Sequence, residues 1–311
     1  MSTQRNQVLS VKEARNFLIN YQGLNTVCRY TQEKGVISYF EKVGCIQYDP
    51  LNVVGRNADL TLQSRVKGYH ADMLYKLLYQ KRTVIDAWDK MMALYLQKDW
   101  PYFKRLRTSK GKEIEAVLAR RNSLQALEHL DEVREHIKKH GPSQSSSIDI
   151  GICNPGKWGS KKLASAAMDY LFNIGELGIY SKNNVQRTYE FTEKLLKKEI
   201  LEESDPFQSD DEFYEWYVKR RIGSVGMLWA CNGGGWLGHF ISDSDIRNSK
   251  IKRLLEKGEI EEFYVESVKN PFYIRSEDTE YLNKKSTKKE VKFLAPLDNL
   301  LWDRKMIRDI F

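Results

Sequence analysis

The chain has 311 residues, and its 50 lysines and arginines against 42 aspartates and glutamates give a formal net charge of +8. Hydrophobic residues make up 41% of it, enough for packed domains and too many for a disordered tail. No stretch approaches the roughly 20 apolar residues of a membrane span, and the N-terminus lacks the apolar core of a signal peptide. The cysteines show no C-x-x-C pair, which disfavours a disulfide framework and a zinc knuckle. We therefore expect a cytoplasmic protein.

A helix that ends at a glycine and turns into a strand is predicted three times along the chain. The glycines are Gly44, Gly175 and Gly258, each one turn after an apolar pair, and glycine readily takes the left-handed conformation that ends helices. The second and third copies continue into a polar turn and a second strand. Helix, glycine, strand, turn and strand is the order of a winged-helix unit. The helices before these two copies, residues 161–172 and 244–255, each have a basic face, which favours DNA binding.

The first copy leads instead into Gln47-Tyr48-Asp49-Pro50. If this is a strand, its alternation puts the amide of Gln47 and the carboxylate of Asp49 on one face. On local grounds alone, a second interpretation is stronger, because Asp followed by Pro is a good helix N-cap with proline at the first helical position. Both interpretations stay open at this point.

Two connectors are predicted from charge. Residues 104–121 indicate a basic helix, and the acidic residues 202–215, which include no lysine or arginine, indicate a domain boundary.

Three sequence motifs resemble known binding or catalytic motifs, but each lacks a feature that the known motif needs. Residues 151–157 have the glycine and lysine spacing of a phosphate loop, but Trp158 stands where a hydroxyl is needed. Residues 233–238 fit G-x-G-x-x-G and are interpreted as a flexible loop, and His136 and His140 as a surface helix without a metal.

Short segments follow one another in a characteristic order and spacing over nearly the whole chain. They are Ser10–Arg15 with Gln22–Leu24, Ile46–Asp49 with Arg56, Leu62–Arg65, Trp88, Asp99–Pro101, Gly141–Ser143, Ala167–Phe172 with Gly175–Leu177, Gln186–Tyr189, and Ala295–Asp298 with Leu301–Arg304. In this order they resemble the winged-helix DNA glycosylases typified by AlkZ and YcaQ, which excise alkylated purines and unhook interstrand crosslinks. The resemblance implies that Gln47 and Asp49 are the catalytic pair, in the Gln-x-Asp branch of the family.

The chemistry suits those residue types. Alkylation at N7 or N3 makes a purine cationic and a good leaving group, so the reaction needs a negative group near the developing oxocarbenium sugar and a water held for attack. Asp49 can stabilise that sugar and accept the proton of the water, while Gln47 can orient the water but cannot act as a base. We expect neither a metal nor a cofactor. Hydrolysis by water makes the enzyme monofunctional; a lyase would need an amine, for which Lys90 stays open.

The expected partner is double-stranded DNA carrying alkylated purines, bound by a monomer in the nucleoid of a bacterial cytoplasm and not by a membrane protein. Six cations in matching segments are predicted to bind phosphates: Arg56, Arg65, Lys157, Lys161, Lys162 and Arg187. The sequence departs from the family at Ala58-Asp59, in place of a histidine pair, and at Asp89–Met92, in place of histidine and glutamate. The accepted lesion is therefore expected to differ.

The predicted fold is α+β and mainly α, with three tandem winged-helix units and a small C-terminal strand-rich part resembling a partial β-barrel. The units are expected over residues 1–125, 126–205 and 206–311, the last shortened relative to the family. Two other functions stay open. One is a non-enzymatic winged-helix regulator in which Asp49 only caps a helix. The other is a small-molecule pocket built from Trp88, Trp229 and Trp236.

Overall fold

The computed structural model describes residues 7–25, 30–152, 162–284 and 291–311. These ranges form a mainly helical α+β fold. Their helices are α1 (Val11–Tyr21), α2 (Gln32–Val43), α3 (Asn57–Gln63), α4 (Ala71–Tyr79), α5 (Lys104–Arg120), α6 (Leu130–His140), α7 (Leu163–Asn173), α8 (Thr192–Leu195), α9 (Lys198–Glu202), α10 (Asp210–Val225), α11 (Ser244–Glu256) and α12 (Arg304–Ile310). Within the described ranges, no helix combines the length and the apolarity needed to cross a bilayer.

The strands of the same ranges are short. They are β1 (Gln7–Leu9), β2 (Tyr30–Thr31), β3 (Cys45–Gln47), β4 (Val66–Lys67), β5 (Val84–Asp89), β6 (Met91–Leu96), β7 (Leu177–Asn183), β8 (Gln186–Phe191), β9 (Leu228–Trp229), β10 (Ile260–Val265) and β11 (Phe272–Arg275).

The chain divides into two compact units. The first consists of Met1–Tyr75, Asp89–Leu96 and Phe207–Phe311, and the second of Lys76–Trp88 and Gln97–Pro206. The last passage between them falls after residue 206, inside the acidic stretch that the sequence marks as a boundary. The three tandem winged-helix units stay a prediction.

The three predicted passages from helix through glycine to strand are confirmed. They run from α2 through Gly44 to β3, from α7 through Gly175 to β7, and from α11 through Gly258 to β10. Each glycine has a positive φ, of 78°, 84° and 69° respectively, which other residues rarely adopt. The second and third strands each continue into an antiparallel partner, β8 and β11. The sequence could predict this helix–glycine–strand pattern because the residues that determine it are neighbours along the chain.

The first unit has a four-stranded sheet in the order β1, β10, β11, β9, with β1 parallel to β10. The helix α1 follows β1 and begins with a capping box: the Ser10 side chain accepts from the Glu13 backbone, and the Glu13 carboxylate accepts from the Ser10 backbone. On its buried face, Tyr21 donates to the Gly223 carbonyl of α10 over 2.7 Å. Residues 202 positions apart along the chain thus meet in this core.

The same unit holds the strand that carries the Gln-x-Asp motif. Strand β3 pairs antiparallel with β6, so that Cys45 lies opposite Tyr95 and Gln47 opposite Ala93. The ladder continues one residue further, where the Tyr48 N–H donates to the Met92 carbonyl over 2.8 Å. Cys45 and Ile46 are fully buried. The motif therefore stands at the end of an anchored strand.

The second unit contains the β7–β8 hairpin and the helices α5 to α7. The predicted basic connector is the helix α5, and His136 and His140 lie on the helix α6, as expected. Arg134 of α6 makes a bidentate pair with Glu176, with N–O distances of 2.6 and 2.7 Å. No group of three metal-ligating side chains occurs in the part of the chain that the structure describes.

Two expectations about the C-terminal half are corrected. The described residues beyond Arg275 form 3-10 turns and α12 but no strand, so the strand-rich addition is absent from them. Asp298 instead starts a 3-10 turn and Asp303 starts α12, each by accepting from a backbone N–H group. The glycines at 233–235 are not a flexible loop, because an added Cβ at Gly234 would lie 2.0 Å from the Trp302 carbonyl. That turn packs tightly against the C-terminal segment.

Candidate active site

Gln47 is held at both its backbone and its side chain. It is the last residue of β3 and is half-buried. Its carbonyl accepts from Asn57 Nδ2 over 2.8 Å, and its side-chain Oε1 lies 2.8 Å from Lys90 Nζ. The side chain is therefore fixed before any substrate binds.

Asp49 is half-buried like Gln47 and lies two residues beyond the strand. Its Oδ1 accepts from the Leu51 N–H over 2.9 Å, which forms a local turn. The helix-cap interpretation is wrong, because the next helix, α3, begins only at Asn57 and Arg56 occupies its N-cap position. The segment Pro50–Gly55 between them is a loop. With one oxygen so bound, the carboxylate still has acceptor capacity for a water or a sugar.

Asn57 is an anchor that the sequence did not reveal. It is 4% exposed, and its amide joins Gln47 to the C-terminal segment: Nδ2 donates to Gln47 O, and Oδ1 accepts from the Leu297 N–H over 3.0 Å. Residue 297 is 240 positions away along the chain. Only the folded chain brings these groups together, and they fix the end of β3 against two other segments.

The sequence analysis leaves Lys90 open as a lyase amine, and in the structure its side chain lies beside Gln47. It connects β5 to β6 and is 4% exposed, with Nζ 2.8 Å from Gln47 Oε1 and 4.7 Å from the centre of the Trp302 ring. Burial, and then the positive charge of Arg221, lower the pKa of its ammonium to about 7. Among the described residues, Lys90 forms no ion pair.

The neighbouring Asp89 belongs to a separate buried network. Its carboxylate lies 2.8 Å from Arg220 Nε and 3.6 Å from Arg221 Nη2. Although burial opposes ionisation, these two guanidinium groups hold the pKa of Asp89 below its ordinary value. Arg220 also donates to the Gly44 carbonyl over 2.9 Å. This network thus links α10 to Gly44, just before β3. The Asp89 carboxylate is already bonded to the two arginines.

The predicted DNA-binding cations lie in different surroundings. Arg56 pairs with Asp59, and its side chain is 39% exposed. Lys162 is exposed in front of α7, and Arg187 is half-buried in β8, over the ring of Phe172. Lys157 and Lys161 lie outside the described residues. Arg56 and Lys162 therefore have the more accessible side chains, and Arg187 is accessible only in part.

Arg65 does not fit the role predicted for it. Its side chain is completely buried, and its guanidinium makes two bonds to the Asp298 carboxylate, at 2.7 and 2.8 Å. Its remaining N–H groups donate to Gln22, Thr61 and Ser64. Since every donor is used inside the fold, we remove Arg65 from the proposed phosphate contacts. The Ser-Arg pattern of the sequence reflects packing.

The tryptophan pocket of the small-molecule alternative is not formed as expected. Trp229 and Trp236 are each 1% exposed. Trp229 Nε1 donates to Asp303 over 3.0 Å, and Trp236 Nε1 donates to the Trp229 carbonyl over 2.7 Å. Both rings fill the core of the first unit and line no open cavity.

Comparison with known proteins supplies independent information. The family model described as "AlkZ-like: DNA glycosylase AlkZ-like" matches residues 40–311, which include Gln47 and Asp49. Among solved structures, the DNA glycosylase AlkZ of Streptomyces sahachiroi is similar, with a TM-score of 0.61 and 13% sequence identity. The match covers 94% of this chain and 77% of that one. At 13% identity, this match shows a similar fold and nothing beyond the fold.

Proposed function

Because the chain belongs to the AlkZ-like DNA glycosylase family, we propose that it hydrolyses the N-glycosidic bond of N7- or N3-alkylated purines in double-stranded DNA. Gln47 and Asp49 are the residues proposed to carry the reaction. The observation that carries this proposal is the state of Asp49, a partly exposed carboxylate that caps no helix and lies two residues from Gln47, whose side chain is bonded to Lys90.

The reaction follows from the charges. The alkylated purine leaves with the pair of electrons of the glycosidic bond, which neutralises its positive charge. The sugar gains oxocarbenium character at C1′, and the carboxylate of Asp49 stabilises it electrostatically. A water attacks C1′ and gives its proton to Asp49, so that the sugar keeps a hydroxyl at C1′. Gln47 orients this water.

We propose that water, and not a protein amine, is the nucleophile, which makes the enzyme monofunctional. The same site is proposed to unhook interstrand crosslinks attached through a purine nitrogen, because that step breaks the same bond. Arg56, Lys162 and Arg187 are proposed to hold phosphates of the duplex, and the active form is proposed to be a monomer.

The test is release of free base from a duplex with N7-methylguanine at one position. We expect Asp49→Asn to lower the single-turnover rate by about 10²–10⁴-fold and Gln47→Ala by about 10–100-fold, with DNA binding retained. Two exposed residues of the same unit give matched controls, Asp72→Asn and Gln63→Ala, which should keep the full rate.

Two outcomes would contradict the proposal. If folded wild-type protein releases no base from methylated or crosslinked duplexes, the substrate is wrong. If Asp49→Asn releases base at the wild-type rate, the proposed role of that carboxylate is wrong even though the activity stands.

A further inference from the structure

Lys90 is a buried cation that makes no salt bridge among the described residues. The carboxylate of its neighbour Asp89 favours the charge on Lys90, but it is bonded to Arg220 and Arg221. The only partners of Lys90 Nζ within the described residues are Gln47 Oε1, at 2.8 Å, and the face of the Trp302 ring, at 4.7 Å. A buried ammonium with so little compensation is costly to the fold. Such a cost is typical of functional positions.

The chemistry of an ammonium decides which end of the Gln47 amide it contacts. An ammonium has three donors and no acceptor, so it must face the carbonyl oxygen Oε1. The two ends of an amide are otherwise nearly equivalent in shape, and their assignment depends on their partners. With Oε1 held by Lys90, the Nε2 group of Gln47 is left to face the substrate side. Gln47 then presents donors and not an acceptor.

Building on the proposed function, we infer that Lys90 is a positioning residue: it fixes the Gln47 amide so that Nε2–H donates to the oxygen of the attacking water. One lone pair of the water accepts from Nε2, the other attacks C1′, and one of its protons points to Asp49. An amide turned the other way would accept a proton of the water and compete with Asp49 for it. Lys90 thus orients the water through Gln47 without touching it.

The surroundings make this arrangement sensitive to pH. A neutral amine can accept as well as donate, so deprotonation of Lys90 lets the amide turn around. Because burial brings the pKa of Lys90 to about 7, the rate should fall as the pH rises through that value. The other groups that face Lys90 are Asp89, Cys45, Tyr217 and the guanidinium groups of Arg220 and Arg221. The pKa of Asp89 is lowered, and burial raises the pKa of both Cys45 and Tyr217, so the titrations of these three groups move away from neutral pH.

The first experiment measures single-turnover base release from pH 5.5 to 9 for the wild type, Lys90→Met, Gln47→Ala and the double variant. We expect Lys90→Met to be about 10–100-fold slower with unchanged half-saturating protein concentration, and to lack the decline above pH 7. The double variant should be no slower than Gln47→Ala, because Lys90 acts through that residue. Lys305→Met is the matched control, since Lys305 also lies over a tryptophan ring, Trp229, but is exposed.

The second experiment does not depend on catalysis. The side-chain amide resonances of Gln47, followed by NMR in the free protein, should titrate with a midpoint near pH 7 in the wild type and should not do so in Lys90→Met. This separates the two proposals: if no substrate is cleaved but the amide titrates with Lys90, the positioning stands and the proposed function fails.

Three results would overturn the inference. One is wild-type rate and pH dependence in Lys90→Met. Another is a rate loss in the double variant equal to the product of the two single losses. The last is a covalent protein–DNA complex trapped by borohydride that disappears in Lys90→Met, which would make Lys90 the nucleophile of a lyase.

Discussion

The first unit buries two cations in opposite ways. Arg65 uses its donors on backbone and side-chain oxygens and pairs with Asp298, and both side chains are fully buried. Lys90 is buried almost as deeply but has one amide oxygen and one ring face. A buried cation whose donors are all bonded is compatible with a stable fold. A buried cation with few partners lowers the stability of the fold and is typical of functional sites. Removing each cation should therefore affect stability in different ways.

The largest effect is expected at Arg65. In Arg65→Met, the Asp298 carboxylate stays buried without its partner, and the free energy of unfolding should fall by about 3–5 kcal/mol. Denaturant unfolding at pH 7 measures this loss.

The matched control for that loss is the double variant Arg65→Met/Asp298→Leu, which removes the stranded charge as well. It should recover a large part of the stability, because replacing both members of a buried pair costs far less than removing one. A double variant no more stable than the single one would show that the bonds to Gln22 and Thr61, and not the ion pair, hold this site.

The next effect is a pH dependence at Lys90. Its pKa in the folded chain, about 7, lies below the ordinary value of 10.5. Between these values the unfolded chain binds more protons than the folded one, so the stability of the wild type should rise with pH. Relative to Lys90→Met, the rise should approach about 1.4 kcal/mol per pH unit above pH 7.

Unfolding of both proteins at pH 7, 8 and 9 tests this, since subtracting the variant removes the contribution of all other groups. Parallel curves for the two proteins would mean that burial of the Lys90 amine does not lower the free energy of unfolding. Lys90 would then not differ from Arg65 in the way proposed here.

The smallest effect on stability is expected at Arg56, a half-exposed cation paired with Asp59. Arg56→Met should cost about 1 kcal/mol or less, because such surface pairs contribute little. If Arg56 contacts a phosphate, the same variant should weaken binding to duplex DNA of any sequence and lower the slope of log affinity against log salt by about 1. An unchanged slope would remove Arg56 from the proposed interface.

The parts of the fold that the sequence predicted are those set by local signals. The helix ends at Gly44, Gly175 and Gly258 were legible because a glycine with positive φ follows an apolar helix face. The strand after Gly44 was found in the same way, but it ends at Gln47, so Asp49 does not share a strand face with Gln47 as the alternation had suggested. The cap at Asp49-Pro50 failed because the residues that follow, Leu51-Asn52-Val53-Val54-Gly55, include two β-branched valines and a glycine that do not favour a helix.

The parts that could not be predicted depend on distant pairings. Arg65 has the same sequence signature whether it meets a phosphate or Asp298, which lies 233 residues away. Lys90 reaches Gln47 only because β6 pairs with β3 in one register and brings the turn before it alongside the motif. Lys90 forms no salt bridge among the described residues, and this depends on how the core packs. The sequence could nominate the amine but could not show what it touches.

The segment from Leu297 to Trp302 closes the candidate site from the far end of the chain. It bonds to Asn57, pairs with Arg65, donates from Asn299 Nδ2 to the Cys45 carbonyl over 2.9 Å, and places the Trp302 ring beside Lys90. During synthesis, the ribosome makes Cys45, next to the motif, 254 residues before its partner Asn299. We expect nascent chains to carry Gln47 and Asp49, the residues proposed to be catalytic, long before they carry an ordered site, so activity should begin only once translation has passed Trp302.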